Sequence, residues 1–257
     1  MASAPQTTNL PLFYQDLTPL NSRDHGNWKS RSTDQAKWLI DQHAVPLTVE
    51  EFPQAQRNFP IVFSSGAETV PLALMGLNEG VNVFVDADGK LTENVYVPAY
   101  ARRYPFLLAK LTPDAKELSL CFDPSTDLIG AFDEGAALFD DSQPTEACKS
   151  MLSFCEQFEE AGMRTGAFVA ELNKHDLLMD GEVTIQREDI EQPFIYRGFR
   201  MVNQEKLREM RGDVLRSWNQ NGMLPLIFAH LFSLELMRDI FSMQNQLGKG
   251  PVPILNS

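Results

Sequence analysis

The sequence predicts an α+β protein. An N-terminal, mostly antiparallel β-sheet region at residues 45–125 precedes a C-terminal helical region at residues 142–246, the two packed as one unit. Three observations carry that expectation. Short apolar runs bounded by turn residues crowd the first half, such as Ile61-Val62-Phe63 between Pro60 and Ser64-Ser65-Gly66. In the second half Met151, Phe154, Cys155, Phe158 and Gly162 recur at helical spacing. With 43% hydrophobic and 22% charged residues, the chain also has the composition of an ordinary globular protein and enough apolar material for a core.

Element by element, residues 1–10 read as a disordered start and residues 11–246 as one α+β domain, with Pro11 to Leu20 extended. A short helix is expected from about Thr33 to Gln42, capped by Ser32 or Thr33. Strands follow at Ile61–Phe63, Val70–Gly76, Val81–Val85, Leu91–Val97 and Leu118–Phe122. Asp86-Ala87-Asp88-Gly89-Lys90 joins two of them and reads as a hairpin turn. For a calcium loop its glycine comes too early and a ligand is missing. Ser142 and Pro144 signal a helix start, and the helix continues or restarts at Thr165 and ends near Lys174. Val183–Gln186 and Phe194–Met201 form an extended pair. Asn203 caps a helix that shares Leu207, Met210, Val214 and Trp218 on one face, and Asn221-Gly222 breaks it. Met223 to about Met243 is the last helix, and residues 247–257 form a loosely held tail.

The segment from Tyr96 to Phe106 stands apart, with three tyrosines, two prolines and Arg102-Arg103 in eleven residues. Its prolines oppose a regular helix and a central strand, so it is expected to be held extended, as a fold anchor or a site wall. In a strand Arg102 and Arg103 point to opposite faces. One could then meet a carboxylate or phosphate beside Tyr100 and Tyr104, while the other bridges to acids such as Asp133-Glu134 or Asp140-Asp141.

The formal net charge of −13 opposes a general nucleic-acid binder or a binder of anionic membranes. Twelve acidic residues between Leu111 and Glu160 face only Lys116 and Lys149, whereas six bases outnumber three acids from Arg197 to Arg216. The two stretches could pair within one molecule or across a homodimer, or each could be a solvated face. Cys121, Cys148 and Cys155 do not make a disulfide framework. The start lacks a basic, apolar signal pattern and no run of eighteen apolar residues occurs. The expected location is therefore the cytoplasm with no membrane span, signal-independent export being the other route left open.

No phosphate-binding glycine loop, nucleophile elbow or metal-ligand spacing is present, so neither a cofactor nor a metal is expected. Cys148 and Cys155 read as small core residues. His43 and His175 read as structural, His175 at a helix end where the left-handed conformation is tolerated. His230 lies in Leu224-Pro225-Leu226-Ile227-Phe228-Ala229-His230-Leu231-Phe232-Ser233, apolar nearly all round, so its helix should be buried. It is either a core histidine satisfied by Ser233, a carbonyl or a tyrosine, or a general base or ligand contact in an internal pocket. The candidate ligand-binding residues are therefore Tyr100, Arg102, Arg103, Tyr104 and His230.

From about Pro11 to Ile240 the chain resembles the SapC-like family of bacterial proteins. The resemblance rests on Pro11-Leu12-Phe13-Tyr14 with His25 downstream, Ala44-Val45-Pro46-Leu47 with Glu51-Phe52, and Phe59-Pro60-Ile61-Val62-Phe63. Asn82-Val83-Phe84-Val85-Asp86, Tyr96 to Phe106, Gly198 to Asn203 and Leu226 to Leu234 complete it. The family takes its name from a surface-layer-associated protein and is distinct from the similarly named peptide-transport permease. Its members tend to be encoded near TonB-dependent receptors, flavin-dependent halogenase-like proteins and cupin-like proteins. The resemblance implies an accessory binding protein serving a bacterial surface uptake or modification system, its partner a protein or small ligand of a TonB-dependent receptor or halogenase-like system. It supplies no catalytic residue. Two other readings stand beside it: an enzyme acting on a small anionic or peptidic ligand in a Tyr/Arg/His pocket, and a structural surface-layer component.

Overall fold

Every strand pair among the described residues is antiparallel, and helices dominate after residue 145, so the expected α+β class holds. A computed structural model describes residues 10–112, 114–115, 117–186 and 193–250. In chain order the first half contains β1 (Thr18–Pro19), β2 (Lys29–Ser30), β3 (Ala44–Pro46), α1 (Phe52–Ala55), β4 (Ile61–Ser64), β5 (Pro71–Leu74), α2 (Ala99–Arg102), β6 (Phe106–Ala109) and β7 (Ser119–Phe122). Short strands β8 (Ile129–Gly130), β9 (Ala136–Ala137), β10 (Phe139–Asp140) and β11 (Gln143–Pro144) lead to α3 (Glu146–Lys174). The rest comprises β12 (Leu178–Asp180), β13 (Val183–Ile185), β14 (Phe194–Tyr196), β15 (Phe199–Val202), α4 (Gln204–Arg208), α5 (Gly212–Gln220), α6 (Met223–Ser233) and α7 (Leu236–Gln246).

The chain divides into two compact units, each discontinuous in sequence. One holds Met1–Asp34 and Arg103–Glu159, the other Gln35–Arg102 and Glu160–Ser257. In the first, β1-β7-β6 and β8-β2-β9 form two small sheets. Its core gathers Phe106, Phe122, Ile129, Leu138, Cys148 and Cys155. The cysteines are free and buried, and burial pushes the Cys155 thiol up to about 12, which fits core packing and opposes a reactive thiolate. His25 accepts the Asn21 N–H and sets its ring edge-on to Trp28 and Phe122.

The second unit is built on a five-stranded sheet in the order β12-β15-β4-β5-β3. Helix α6 packs on one side of it, against β4 and β15. Phe63 sends its ring to that side, beside Phe168 and His230. Val62, Phe199 and Met237 form a separate cluster with Leu72, Leu74 and Met201. The period of two along each strand thus sorts side chains onto two different surfaces.

Several elements depart from the sequence expectation, each for a visible reason. The helix expected at 33–42 shrinks to a 3-10 turn at Lys37–Leu39. Asn82, wholly buried, donates its side-chain amide to the Leu39 and Gln42 carbonyls. The same amide accepts the Phe84 N–H, so 81–85 is a tied loop in place of the expected strand. Of the strands flanking Asp86–Lys90 only the single bridge Val85–Leu91 exists. The turn itself is as expected, with Asp86 Oδ1 accepting the N–H groups of Asp88 and Lys90. Helix α3 runs unbroken for 29 residues. The left-handed residue after it is Asp176, one position beyond His175.

The helix expected from Met223 to Met243 is two helices. Ser233 Oγ donates back to the His230 carbonyl and accepts the Ile61 N–H, which takes a carbonyl out of the helical ladder where α6 ends. Gly222, at φ 81°, supplies the left-handed break before α6. Asn203 caps a helix as expected, its Oδ1 accepting the Lys206 N–H, but the single helix expected to run on to Trp218 is two, α4 ending at Arg208 and α5 starting at Gly212, with Met210 between them. After α7 the N–H groups of Gly248 and Lys249 bond the carbonyls of Asn245 and Gln244, a Schellman closure that holds this part of the expected loose tail. Residues 251–257 of that tail, and 1–9 of the expected disordered start, lie outside the described residues.

Candidate functional site

His230 is 0% exposed and both ring nitrogens are used. Nδ1–H donates to the Ile61 carbonyl at 2.7 Å, and Nε2 accepts the Val202 N–H at 3.0 Å. Strands β4 and β15 pair at Ser64–Phe199 and Phe63–Arg200; continued, that register would set Ile61 opposite Val202. The imidazole sits between those two backbone groups and bridges them. Burial drives its pKa from 6.5 down to about 4, against the opposing pull of the Ile61 carbonyl. The ring is therefore neutral at pH 7, with its proton on the nitrogen that faces Ile61.

The Tyr96–Phe106 segment is organised by a carboxylate in another part of the chain. Glu51 is buried, and its Oε1 accepts the Tyr96 hydroxyl at 3.0 Å and the Ala99 N–H at 2.6 Å. Oε2 accepts the Thr48 N–H and hydroxyl. An anion at the first N–H of α2 favours a helical turn, which is how Ala99–Arg102 comes to be helical where an extended chain was expected. Pro98 precedes that turn, where its missing N–H is no loss, and its carbonyl accepts from Ala101 and Arg102. Burial first, and then Glu51, push the Tyr96 phenol up to about 12.

Arg102 and Arg103 do take different environments. Arg102 is exposed and folds back, Nε donating to the Val97 carbonyl at 3.1 Å. Arg103 is buried, its guanidinium 4.4 Å above the Phe158 ring and 3.6 Å from Glu159. Glu159 thus stands where Asp133-Glu134 or Asp140-Asp141 were expected. Tyr104 packs edge-on against Phe13 and Tyr14. Tyr100 is buried on α2. Of the five predicted residues, Tyr100, Arg102 and His230 belong to the second unit, and Arg103 and Tyr104 to the first.

A site that the sequence reading did not find lies on the other surface of the five-stranded sheet. A cavity of about 180 Å³ is walled by Val62, Leu72 and Leu74 from the sheet and by Tyr196, Phe199 and Met237. Two of the polar side chains around it are already engaged. Ser64 donates to the Glu68 carbonyl and accepts the Val70 N–H. Arg197 is clamped to Glu182 at 2.6 and 2.7 Å. His43 and Ser65 also line the space. The Tyr196 hydroxyl is buried and has no hydrogen-bond partner among the described residues. Burial pushes that phenol up to about 12, so it keeps its proton and remains a donor. A buried donor without an acceptor costs about 1–3 kcal/mol, and such groups in folded proteins call for an explanation. The one sequence signal was a tyrosine beside Arg197-Gly198; its surroundings come from strand pairings distant in sequence.

Among the described residues no group of His, Cys, Asp and Glu could hold a metal ion, and no helix is long and apolar enough to cross a membrane. The family model for SapC matches residues 20–240, and the chain belongs to that family. No curated protein and no solved structure matches it.

Proposed function

We propose that the protein is a binding protein that takes a small, uncharged, largely apolar molecule with one hydrogen-bond acceptor into the cavity beside Tyr196. The observation that carries this reading is that Tyr196, whose buried hydroxyl has no hydrogen-bond partner among the described residues, belongs to the wall of this space. The volume is comparable to the roughly 150 Å³ apolar cavity that holds one benzene ring. The neighbouring cation, Arg197, is already neutralised by Glu182, which favours a neutral ligand over an anionic one. We further propose that this binding role is accessory to a bacterial surface uptake or modification system of the TonB-dependent or halogenase-like kind. An acid–base role for His230 has less support, because both of its nitrogens already hold the backbone together.

Calorimetric titration with acetophenone, ethylbenzene and phenylacetate tests the proposal. These share a ring and differ in carrying a neutral acceptor, none, or a charge. Acetophenone is expected to bind best, and Tyr196→Phe to weaken it about tenfold, the equivalent of about 1.4 kcal/mol. Leu72→Trp, which fills the space, is expected to abolish binding. Equal affinity of wild type and Tyr196→Phe for acetophenone, or no binding of any of the three, sinks the idea.

A further inference from the structure

Helix α6 is apolar on nearly every side, which ordinarily means burial on every side. Only part of it is covered. Met223, Ile227, His230 and Ser233 are buried. On its other side Phe228 is 39% and Phe232 69% exposed, and their rings stack with centroids 5.7 Å apart. Leu224, Phe228 and Leu231 also form the floor of a groove of about 330 Å³, closed off by Leu207 and Arg208 of α4 and Leu215 of α5. Gln204 and Arg208 are its polar lining. Arg208 has no acidic partner among the described residues. An exposed apolar surface with an unpaired arginine at its edge marks an interaction site more often than a solvated face.

The charge and the extent of the surface choose the occupant. Phe232 lies outside the groove lining, so whatever covers the patch extends past what an enclosed small molecule could reach, and the groove itself is at the lower end of small-molecule pockets. A second copy seated on the same face about a two-fold axis would bring a second Arg208 to the same interface and supply no acid for either. A helix whose apolar stripe is flanked by carboxylates satisfies both features, with anchors at helical spacing in the groove and an acid on Arg208. We propose that the α4–α5–α6 groove docks an acidic amphipathic helix of a partner protein. This surface is separate from the Tyr196 cavity, so the two proposals stand or fall independently.

A photo-crosslinking amino acid placed at Phe232 of the full chain, in its native cells, with the joined peptides sequenced by mass spectrometry, tests this. The expected product joins position 232 to an amphipathic helical segment of another protein with Asp or Glu beside its apolar stripe. A synthetic peptide of that segment should then bind the purified protein, at least tenfold more weakly to Arg208→Glu and to Phe228→Ser, while both variants melt as the wild type does. Crosslinks confined to a second copy or to lipid, a segment without acidic flanks, no crosslink at all, or an affinity unmoved by Arg208→Glu would each overturn the proposal.

Discussion

The two surfaces of the five-stranded sheet solve the same problem differently. On the α6 side, the backbone groups of Ile61 and Val202 are each met by a side chain of one helix: His230 bridges Ile61 O to Val202 N–H, and Ser233 takes the Ile61 N–H. Those donors and acceptors find partners within the chain. On the side of Val62, Leu72 and Phe199, a cavity remains and the Tyr196 hydroxyl is left without one. The difference teaches where to look for function. Polar groups satisfied from within act as scaffold, however unusual they look in sequence, whereas an unsatisfied one beside a space is a place for something else.

The comparison breaks most visibly at His230. His230→Leu leaves a buried carbonyl and a buried N–H unpaired, and a loss of about 3–5 kcal/mol in urea unfolding is expected. A loss under 1 kcal/mol would mean that the bridge is not structural. The same residue sharpens the contrast through pH. Its folded-state pKa of about 4 lies below the ordinary 6.5, so between those values the unfolded chain takes up a proton that the native state refuses. Stability is full above pH 6.5 and falls as pH drops toward 4, by about 3 kcal/mol from this group. His230→Gln, able to donate to Ile61 and accept from Val202, should flatten that part of the profile relative to wild type. An unchanged slope would show that other groups cause it.

Much of the fold was legible because its signals are local. The apolar runs at 61–63 and 70–76, the Asp86 turn, the Asn203 cap and the Gly222 break each carry their reason within a few residues. What was not legible depends on partners distant in sequence. Asn82 reaches back about forty positions to take the carbonyls of the expected 33–42 helix. Glu51 imposes a helical turn on a proline-rich stretch that local rules make extended. His230 was recognisable as buried, but its partner Ile61 is 169 positions away. Tyr196 carries no motif; its place is set by the pairing of β14 with β13. The outer side of α6 misled in the other direction, since apolar periodicity cannot say whether the cover belongs to the same chain.

The smallest expected effect is the most telling, and it comes from Tyr196→Phe. Urea unfolding of wild type and variant, without ligand and with acetophenone at a hundredfold excess over its wild-type dissociation constant, tests the contrast between the two surfaces most directly. Without ligand the variant should be as stable as wild type or more stable by up to about 1 kcal/mol, because a buried donor with no acceptor has been removed. With ligand, wild type should gain about 2.7 kcal/mol and the variant, binding tenfold more weakly, about 1.4 kcal/mol. A variant already about 1 kcal/mol less stable without ligand, or stabilised equally by acetophenone, would contradict the account, because the phenol would then be serving the fold.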